Sequence, residues 1–487
     1  MKPFLRDYLK RGIMTSNSWK LGIVTRALGS YVELVNTFRV LSGRRRIAPS
    51  ELRRYVVKMC LVPAILVATV SFLVFSYVGK ELIVLVPLLA GLTFFTVPLV
   101  SELLFYMTHI RRLKEDLTYF MVIEGVSPGD DLIKDLEEEY DAMCELLTSL
   151  CTEYSRLRLF TRFFPGIRGI KEYIARAPKI MKKTLLEYMV ARESASFGTW
   201  IYSKFQESLN ELKTSSKRAL ELKVFLSLIV VVINGLTPPL LALTTVLEGR
   251  IPQYAYSILT IPSVVLVLSE SLSPKILKVS AGASRLSLTS ALATVLSVTP
   301  LLLGGWGLLA TGIFMTVIGV VTTYKILYAY STFFNLPSIL TNLTERLPYA
   351  HDPVGLIEEG LGRLRRFSSL ASLCYIMLLK SVRQGEVNTS KMITFRGVVD
   401  ELFSLVKQGT AVRILVLATA IIMPIILSTS VILASSLVTT TADLRTYCFI
   451  SSALYSIIAS IVVFGNYEST LLTGIVLLML YYLGVTP

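Results

Sequence analysis

The sequence is poor in the residues from which metal sites and active sites are usually built. Only two histidines, His109 and His351, occur among its 487 residues. Its five cysteines include no pair with the Cys-x-x-Cys spacing of zinc and redox sites. The nucleotide-binding pattern GxxxxGK[ST] and the zinc-protease pattern HExxH are absent as well. We therefore expect no metal, no cofactor and no catalytic residues, and a function other than that of an enzyme.

Charged residues are also scarce in the long apolar runs of the chain. Hydrophobic residues make up 53% of the sequence and the mean hydropathy is +0.62, whereas soluble domains contain roughly 45–50% apolar residues. The charges nearest to these runs, such as Glu270 and Lys325, lie at their ends. Ion-coupled transporters normally carry ionisable residues at bilayer depth, so this distribution argues against that class.

The apolar runs are long enough to cross a bilayer, for which about 20 helical residues suffice. They lie at 56–78, 82–104, 224–247, 254–272, 286–304, 306–327, 414–437, 446–464 and 468–484. We predict an all-α polytopic membrane protein with about nine transmembrane helices and two cytoplasmic helical-bundle modules related by internal duplication. The predicted order is a basic N-terminal segment at 1–55, transmembrane helices at 56–104, a first module at 105–223, transmembrane helices at 224–327, a second module at 328–413 and transmembrane helices at 414–487.

Lysine and arginine positions predict the orientation of the chain. The segment before the first apolar run is rich in both residues, which places the N-terminus in the cytoplasm. Alternation then puts both modules in the cytoplasm and the C-terminus outside the cell membrane. Attraction of basic segments such as Gly43–Arg46 to anionic lipid accounts for the formal charge of +15. Aromatic residues do not accompany these segments at regular spacing, so we expect no nucleic-acid partner.

Two stretches of the chain align without gaps, Leu209–Phe225 with Val399–Leu415. The alignment pairs Glu211 with Glu401, Leu212 with Leu402, Lys217 with Lys407, and Lys223 with Arg413. Each stretch is polar, follows a helical pattern and runs directly into an apolar run, so each is predicted to continue as one helix into the membrane. The second copy contains Gly409, and glycine weakens a helix by ~1 kcal/mol relative to alanine.

Each module is predicted to begin with a helix, a tight turn and a second helix. In the first module, Gly125 would end the first helix, Ser127 would be the N-cap of the second and Pro128 its first residue. In the second module, Asp352 and Pro353 would have the same two roles.

Charge in the first module is segregated along the chain. The acidic cluster comprises Asp130, Asp131, Asp135, Glu137, Glu138, Glu139, Asp141 and Glu145, and the basic cluster comprises Arg156, Arg158, Arg162, Arg168, Lys171, Lys179, Lys182 and Lys183. Two solvated faces would explain this pattern, and so would a docking surface for a charged partner. Asp130 and Asp131 would also suit a metal-diphosphate site in a membrane transferase, although carboxylates beside a helix start more often serve the helix dipole.

Residues that break helices lie inside two of the apolar runs. Asn234, Pro238 and Pro239 fall in 224–247, and Pro424 falls in 414–437. Matched interruptions form the binding sites of some transporters, but prolines in long helices more often produce kinks alone.

The order of these features resembles the type II secretion system F domain, in its archaeal branch. The features are the Gly125–Pro128 turn before an acidic helix, a later polar helix that enters the membrane, and the duplication of this unit. The resemblance covers about 105–247 and 328–437. The second turn, Arg346–Pro353, departs from it because it lacks the glycine of the first.

The resemblance implies a platform protein of an archaellum, a type IV pilus or a type II secretion machine. Such proteins are embedded in the lipid bilayer of the cytoplasmic membrane, have no enzymatic activity, and couple a hexameric secretion ATPase to pilin-like subunits. A homodimer is compatible with this interpretation. The alternative is a secondary transporter or exporter with repeated halves, because repeats and matched helix breaks are also found in that class.

The predicted orientation leads to a labelling experiment in a cysteine-free background. A cysteine introduced at Ser390 in the second module should resist a membrane-impermeant thiol reagent in intact cells and react after the membrane is permeabilised. A cysteine introduced at Thr440, in a predicted outer loop, should react in intact cells. Labelling at Ser390 from outside would show that the orientation is wrong.

Overall fold

The computed structural model of the chain describes residues 31, 33–40, 51, 86–129, 131–164, 167–194, 196–248, 273–279, 300–385, 387, 389–435, 442–464 and 469–485. Its named elements are all helices, and no β-strand occurs among these residues. An isolated antiparallel bridge joins Val279 to Ser368. The predicted all-α fold class is therefore confirmed for the described part of the chain.

The helices fall into a first group before the gap at 249–272 and a second group after the gap at 280–299. The first group is α1 (Val86–Val126), α2 (Leu132–Glu138), α3 (Tyr140–Leu146), α4 (Thr148–Phe163), α5 (Ile167–Ile174), α6 (Lys179–Glu193) and α7 (Phe197–Glu248). The second group is α8 (Pro300–Phe334), α9 (Leu336–Arg346), α10 (Pro353–Leu361), α11 (Ser369–Arg383), α12 (Thr389–Ser435), α13 (Ala442–Phe464) and α14 (Leu471–Tyr482). Short 3-10 turns occur at Lys275–Leu277, Leu347–Tyr349 and Leu364–Arg366.

The turn after α1 differs from its prediction. Helix α1 continues through Gly125 to Val126, and the missing side chain of Gly125 leaves room for the ring of Phe205. Asp131 is the N-cap of α2, and its Oδ1 accepts hydrogen bonds from the backbone N–H groups of Ile133 at 3.0 Å and Lys134 at 3.4 Å. The prediction that Ser127 and Pro128 start the second helix was wrong, since a later residue with a carboxylate caps it.

The corresponding turn in the second module agrees with its prediction. Asp352 is the N-cap of α10, and its Oδ1 accepts a hydrogen bond from the N–H of Gly355 at 2.9 Å. Pro353 is the first helical residue, where its missing N–H leaves no hydrogen bond unmade.

The chain forms two compact units. The first consists of Met1–Leu117 and Leu147–Ser194, and the second of Thr118–Leu146 and Ala195–Pro487. Residues of the predicted first module therefore contribute to both units.

In the first unit, α4 is attached to α1 by polar contacts. Asp116 of α1 accepts hydrogen bonds from the backbone N–H groups of Ser149 at 2.7 Å and Leu150 at 3.2 Å. It thereby caps the start of α4, where Leu147 offers no polar side chain. Glu153 of α4 is buried, and its Oε1 lies 3.2 Å from His109 Nε2 of α1.

Glu153 is the centre of a small hydrogen-bond network in this unit. It accepts hydrogen bonds from Arg156 Nη1 and from the hydroxyl of Tyr173 on α5, each at 2.7 Å. Burial alone would raise the pKa of Glu153, but the bonds from His109, Arg156 and Tyr173 favour the carboxylate and hold the pKa below its ordinary value. Glu153 can therefore carry its negative charge although it is buried.

The apolar core of the second unit lies between α8, α12, α13 and α14. Its members include Met315, Leu427, Phe449, Val476 and Leu477, all of which are almost completely buried. Burial of such side chains stabilises a fold by ~1.5–3 kcal/mol each in water, and in a bilayer close packing takes over this role.

Within the described residues, two helices are long and apolar enough to cross a membrane. They correspond to Gly305–Phe334 in α8 and to Thr389–Thr429 in α12, with mean hydropathies of 1.7 and 2.3 over their most apolar windows. Only 39% and 33% of these windows are buried. Both helices thus expose many apolar side chains, as lipid-facing helices do.

Three other predicted spans correspond to described helices. The runs 446–464 and 468–484 correspond to α13 and α14, whose apolar parts are the shorter segments Cys448–Val463 and Leu471–Tyr482. The run 224–247 is helical within α7. The count of nine spans stays a prediction.

Four further runs lie partly or wholly outside the described residues. The runs 56–78 and 254–272 are not described, and 286–304 is described only from Pro300. The run 82–104 is described as helix from Val86.

Glycines allow α8 and α14 to approach each other closely. A Cβ on Gly319 would collide with the backbone of Leu471, and one on Gly474 would lie 2.6 Å from the backbone nitrogen of Thr316. A Cβ on Gly312 would lie 2.9 Å from Leu478. The paired residues run in opposite directions, so the two helices are antiparallel and their backbones are in near contact, as small residues permit in membrane helices.

This contact predicts the effect of a single methyl group. Gly319→Ala should lower the thermal stability of the detergent-solubilised protein by ~1–3 kcal/mol, because the new Cβ must displace the α14 backbone. The matched control is Gly397→Ala in α12, where a Cβ meets no atom within 4 Å and where alanine should stabilise the helix by up to ~1 kcal/mol. If thermal unfolding showed the same change in stability for both substitutions, this would contradict the close approach of α8 and α14.

Candidate functional site

The two long helices α7 and α12 form a parallel pair in the second unit. Lys213 Nζ of α7 lies 2.5 Å from Glu401 Oε1 of α12, and further along both helices Leu220 packs against Gly409. The contacts advance in the same chain direction on both helices, so the helices are parallel. Each of them connects polar residues to an apolar segment without interruption, as the two aligned stretches predicted.

The residues that touch between α7 and α12 are nearly the same residues that the repeat alignment pairs. Glu401 aligns with Glu211 and contacts Lys213, two residues later on the same helix. The aligned cations Lys223 and Arg413 are both buried, with 2% and 5% of their surface exposed. Equivalent residues thus lie in similar environments, although internal duplication itself stays a prediction.

Arg413 is held by specific polar contacts at the start of the apolar part of α12. Its Nη2 donates a hydrogen bond to the carbonyl of Leu277 at 2.8 Å, and its Nη1 donates to the hydroxyl of Tyr330. The guanidinium also lies over the ring of Tyr330, at 5.8 Å from the centroid. These contacts connect α12 to α8 and to the 3-10 turn at Lys275–Leu277.

The predicted helix-breaking residues do not break either helix. Asn234, Pro238 and Pro239 lie within α7, which is helical through all three, and their side chains are outside the described residues. Pro424 lies within α12. Ser428 Oγ donates a hydrogen bond to the Pro424 carbonyl at 2.5 Å.

A buried ion cluster lies at the end of α1 in the second unit. Lys380 of α11 places its Nζ 2.5 Å from Glu124 Oε1 of α1 and 3.1 Å from Asp135 Oδ2 of α2. The side chains of Lys380 and Glu124 are 2% and 0% exposed. The Glu124 oxygens have no partner with good hydrogen-bond geometry, so the contact with Lys380 is a close approach rather than an aligned hydrogen bond.

The protonation of Glu124 follows from this environment. Burial raises the pKa of Glu124 to about 8; the nearby charge of Asp135 also raises it, and Lys380 lowers it only in part. Below this value Glu124 holds a proton and is neutral. The single positive charge of Lys380 is then balanced by one carboxylate, which is the less costly state in an apolar interior.

A second pair extends the cluster toward solvent. Arg383 Nη1 lies 2.8 Å from Glu139 Oε1, and Glu139 is buried while Arg383 is half exposed. Burial raises the pKa of Glu139, against the effect of Arg383. Together the two pairs connect α1, α2 and the residue after α2 to α11.

The structure therefore divides the acidic cluster into residues with different environments. Asp131 caps α2, Asp135 and Glu139 are buried with cations of α11, and Asp130 lies outside the described residues. The members exposed on the surface are Glu137, Glu138, Asp141 and Glu145. An external partner would reach only these last residues.

The basic cluster stays largely on the surface of the first unit. Arg156 is the exception, because it is half buried and bonded to Glu153. The exposed members are Arg158, Arg162, Arg168, Lys171, Lys179, Lys182 and Lys183. Lys183 lies 3.8 Å from Glu187 one turn away, a contact of little energetic weight at a surface.

A further letter pattern lies in the turn after α1. Gly125-Val-Ser127-Pro-Gly129 matches the GxSxG of serine hydrolases, which requires a strand before the serine and a helix after it. Here a helix precedes Ser127, which is fully buried and donates a hydrogen bond to Gln384 Oε1. The serine thus joins α1 to the end of α11 and is not presented as a nucleophile.

Sequence reasoning missed Lys380, the residue at the centre of the ion cluster. A signal was present, because Lys380 follows a nearly continuous apolar run in α11 and a lysine in such a helix is seldom buried without a partner. Its partners Glu124 and Asp135 are about 250 residues earlier in the chain, and no local pattern connects them.

Comparison with known proteins adds no family. No protein-family model, no curated protein and no solved structure matches the chain.

The raised pKa of Glu124 predicts how stability depends on pH. Because its pKa is raised on folding, its contribution to stability is fully present below about pH 4.5 and is lost as the pH rises toward 8. Glu124→Gln should remove this loss. Thermal unfolding measured between pH 5 and 9 should therefore show the variant becoming more stable relative to the natural protein as the pH rises to about 8. Above pH 8 the difference in stability should stay constant.

A matched control uses a surface glutamate in the same region. Glu138 pairs with Lys134 at 3.4 Å with both side chains exposed, so Glu138→Gln should leave the pH dependence above pH 5 unchanged. A difference between Glu124→Gln and the natural protein that does not vary with pH would contradict a raised pKa at this site.

Proposed function

We propose that this protein is a platform protein of an archaeal type IV pilus-like, archaellum or type II secretion-like machine, in which it transmits motion from a cytoplasmic secretion ATPase to pilin-like subunits in the membrane. The observation that supports this most strongly is the pair of long helices. Helix α7 has 52 residues and α12 has 47, and each leads from a polar segment into an apolar one.

The length of these helices suits a mechanical role. At 1.5 Å per residue, helices of this size extend for roughly 70–80 Å, which is more than twice the hydrocarbon thickness of a bilayer. A helix that continues through the membrane surface has no joint there, so a displacement at its cytoplasmic end also moves its membrane end. The contacts between α7 and α12 add stiffness, because side chains of one helix support the other.

The ion cluster connects helices that would have to move together in this mechanical role. It attaches the end of α1 and helix α2 to α11, which precedes α12 by a short turn containing Gly385 with a positive φ of 70°. A push on one of these elements is therefore passed to the other. In this proposal the exposed members of the acidic and basic clusters are the residues that meet the ATPase, since complementary charges steer such associations.

The absence of interruptions disfavours the transporter alternative. Transporter sites near the bilayer midplane are typically formed by helices that unwind at the substrate. Helices α7 and α12 stay helical at Asn234, Pro238, Pro239 and Pro424. We therefore regard these residues as positions within coupling helices and place no solute site at them.

The proposal is tested by inserting Gly-Gly after Lys217 in α7. The insertion should abolish filament or secretion activity while leaving protein level and copurification of the ATPase near normal, because flexibility replaces rigid transmission. The same insertion after Lys407 in α12 should be better tolerated, since Gly409 already lowers helix stability there. Full activity with the first insertion would contradict rigid coupling through α7.

The control insertion is placed in a turn. Gly-Gly after Gly385 lengthens an existing turn between α11 and α12, where a side chain at Gly385 would meet no atom within 4 Å. Because it interrupts neither long helix, it should leave filament or secretion activity, protein level and ATPase binding near normal. Copurification of a secretion ATPase and pilin-like proteins with the natural protein supports the proposal. Thermal stabilisation by a small solute without any such partner would favour the transporter.

A further inference from the structure

The direction of α4 relative to α1 is fixed by two contacts within the first unit. Near the start of α4, Ser149 N–H donates to Asp116 at 2.7 Å. One turn later, Glu153 lies 3.2 Å from His109. The chain advances along α4 while the contacted positions move backward along α1. Helix α4 therefore runs back toward the apolar end of α1.

The far end of α4 thereby reaches the level at which α1 becomes apolar. From Glu153 to Phe163 the helix rises by ~15 Å. The same distance back along α1 from His109 reaches the neighbourhood of Val100, within the predicted span 82–104. Here α1 exposes apolar side chains at helical spacing, namely Val100, Leu103, Leu104 and Met107.

The side chains at this end of α4 combine exposed apolar groups with arginines. Leu159 is 53% and Phe163 is 75% exposed, and Arg162 and, after the helix, Arg168 are exposed beside them. Arg168 also lies over the ring of Phe164, at 5.7 Å from its centroid. Exposed aromatic and aliphatic groups next to arginines are typical of segments that lie in the headgroup layer of a membrane.

We propose that Leu159, Arg162, Phe163 and Arg168, here called the α4 corner, contact the anionic headgroup layer of the membrane that α1 enters. The inference rests on the membrane location in the proposed function. Arginine heads would pair with lipid phosphate, while Leu159 and Phe163 would enter the boundary of the acyl chains. This contact removes part of the basic cluster from the surface available to the ATPase and holds the first unit close to the bilayer.

The lipid surface is favoured over a protein partner by continuity with α1. Because α4 runs antiparallel to α1, its rise beyond Glu153 carries the α4 corner toward the apolar stripe of α1 at Val100–Met107, and a single planar layer would cover both. The sign of the charge agrees with this, because the cytoplasmic leaflet is negative and attracts basic segments by ~1 kcal/mol per lysine or arginine.

The experiment uses the full chain in a cysteine-free background, with one cysteine at a time labelled by an environment-sensitive fluorophore. The positions are Phe163→Cys in the α4 corner, Phe314→Cys on the exposed face of α8, and Tyr349→Cys in the exposed 3-10 turn of the second unit. Each protein is reconstituted in phosphatidylcholine vesicles with or without phosphatidylglycerol. Quenching by spin-labelled lipids and by aqueous iodide is then measured.

The label at position 163 should be quenched by headgroup-region spin labels and shielded from iodide, several-fold more strongly with phosphatidylglycerol. The label at 349 should respond only to iodide. Arg162→Glu with Arg168→Glu should reduce the lipid quenching at 163 several-fold, whereas Arg162→Lys with Arg168→Lys should preserve most of it. These exposed substitutions leave the packed residues of the unit in place, so altered quenching reports the surface rather than unfolding.

Two results would overturn the proposal. If position 163 responds like position 349, the α4 corner faces water. If it is shielded from both iodide and lipid, a protein surface covers it, either another part of this chain or a second copy. The label at 314 tests the membrane location itself, on which the proposed function depends. It should be quenched by acyl-chain spin labels whatever the lipid charge. Loss of that quenching would show that α8 does not enter the membrane, which is a different failure from the two above.

Discussion

The ammonium of Lys380, enclosed with the carboxyl groups of Glu124 and Asp135, determines how the parts of the second unit fit together. These three residues come from α11, α1 and α2, so their contacts hold three separate helices together. A buried ion pair adds little net stability compared with apolar side chains of the same size, but leaving one partner alone costs ~3–5 kcal/mol. The cluster therefore acts mainly by selecting one packing of these helices over others.

The features that could be predicted from the sequence are those that depend on neighbouring residues. The helicity of α7 and α12 follows from long stretches without glycine or with few helix breakers, and the cap at Asp352 follows from a carboxylate next to a proline. The cap at Asp131 was missed because Ser127 and Pro128 offer the same local signal a few residues earlier. In the structure α1 continues past Gly125, Ser127 bonds to Gln384 and Gly125 packs on Phe205, and these contacts join residues far apart in the chain.

The charge pattern shows the same limit. Segregation of acidic and basic residues is visible in the sequence, but the roles of Asp135 and Glu139 depend on Lys380 and Arg383 of a distant helix. Two nearly adjacent carboxylates in one cluster can thus differ completely, one enclosed with an ammonium and the next in solvent. Burial is decided by tertiary packing, and the sequence of a single segment carries no record of it.

The glycine contacts between α8 and α14 restrict how these helices can move. Close backbone approach occurs at three successive heights, at Gly312, Gly474 and Gly319. A slide of α14 along α8 would move Leu478 and Leu471 away from Gly312 and Gly319 and against larger neighbouring residues, whereas a tilt of both helices together would keep these contacts. The two helices are therefore expected to tilt together and to resist sliding past each other.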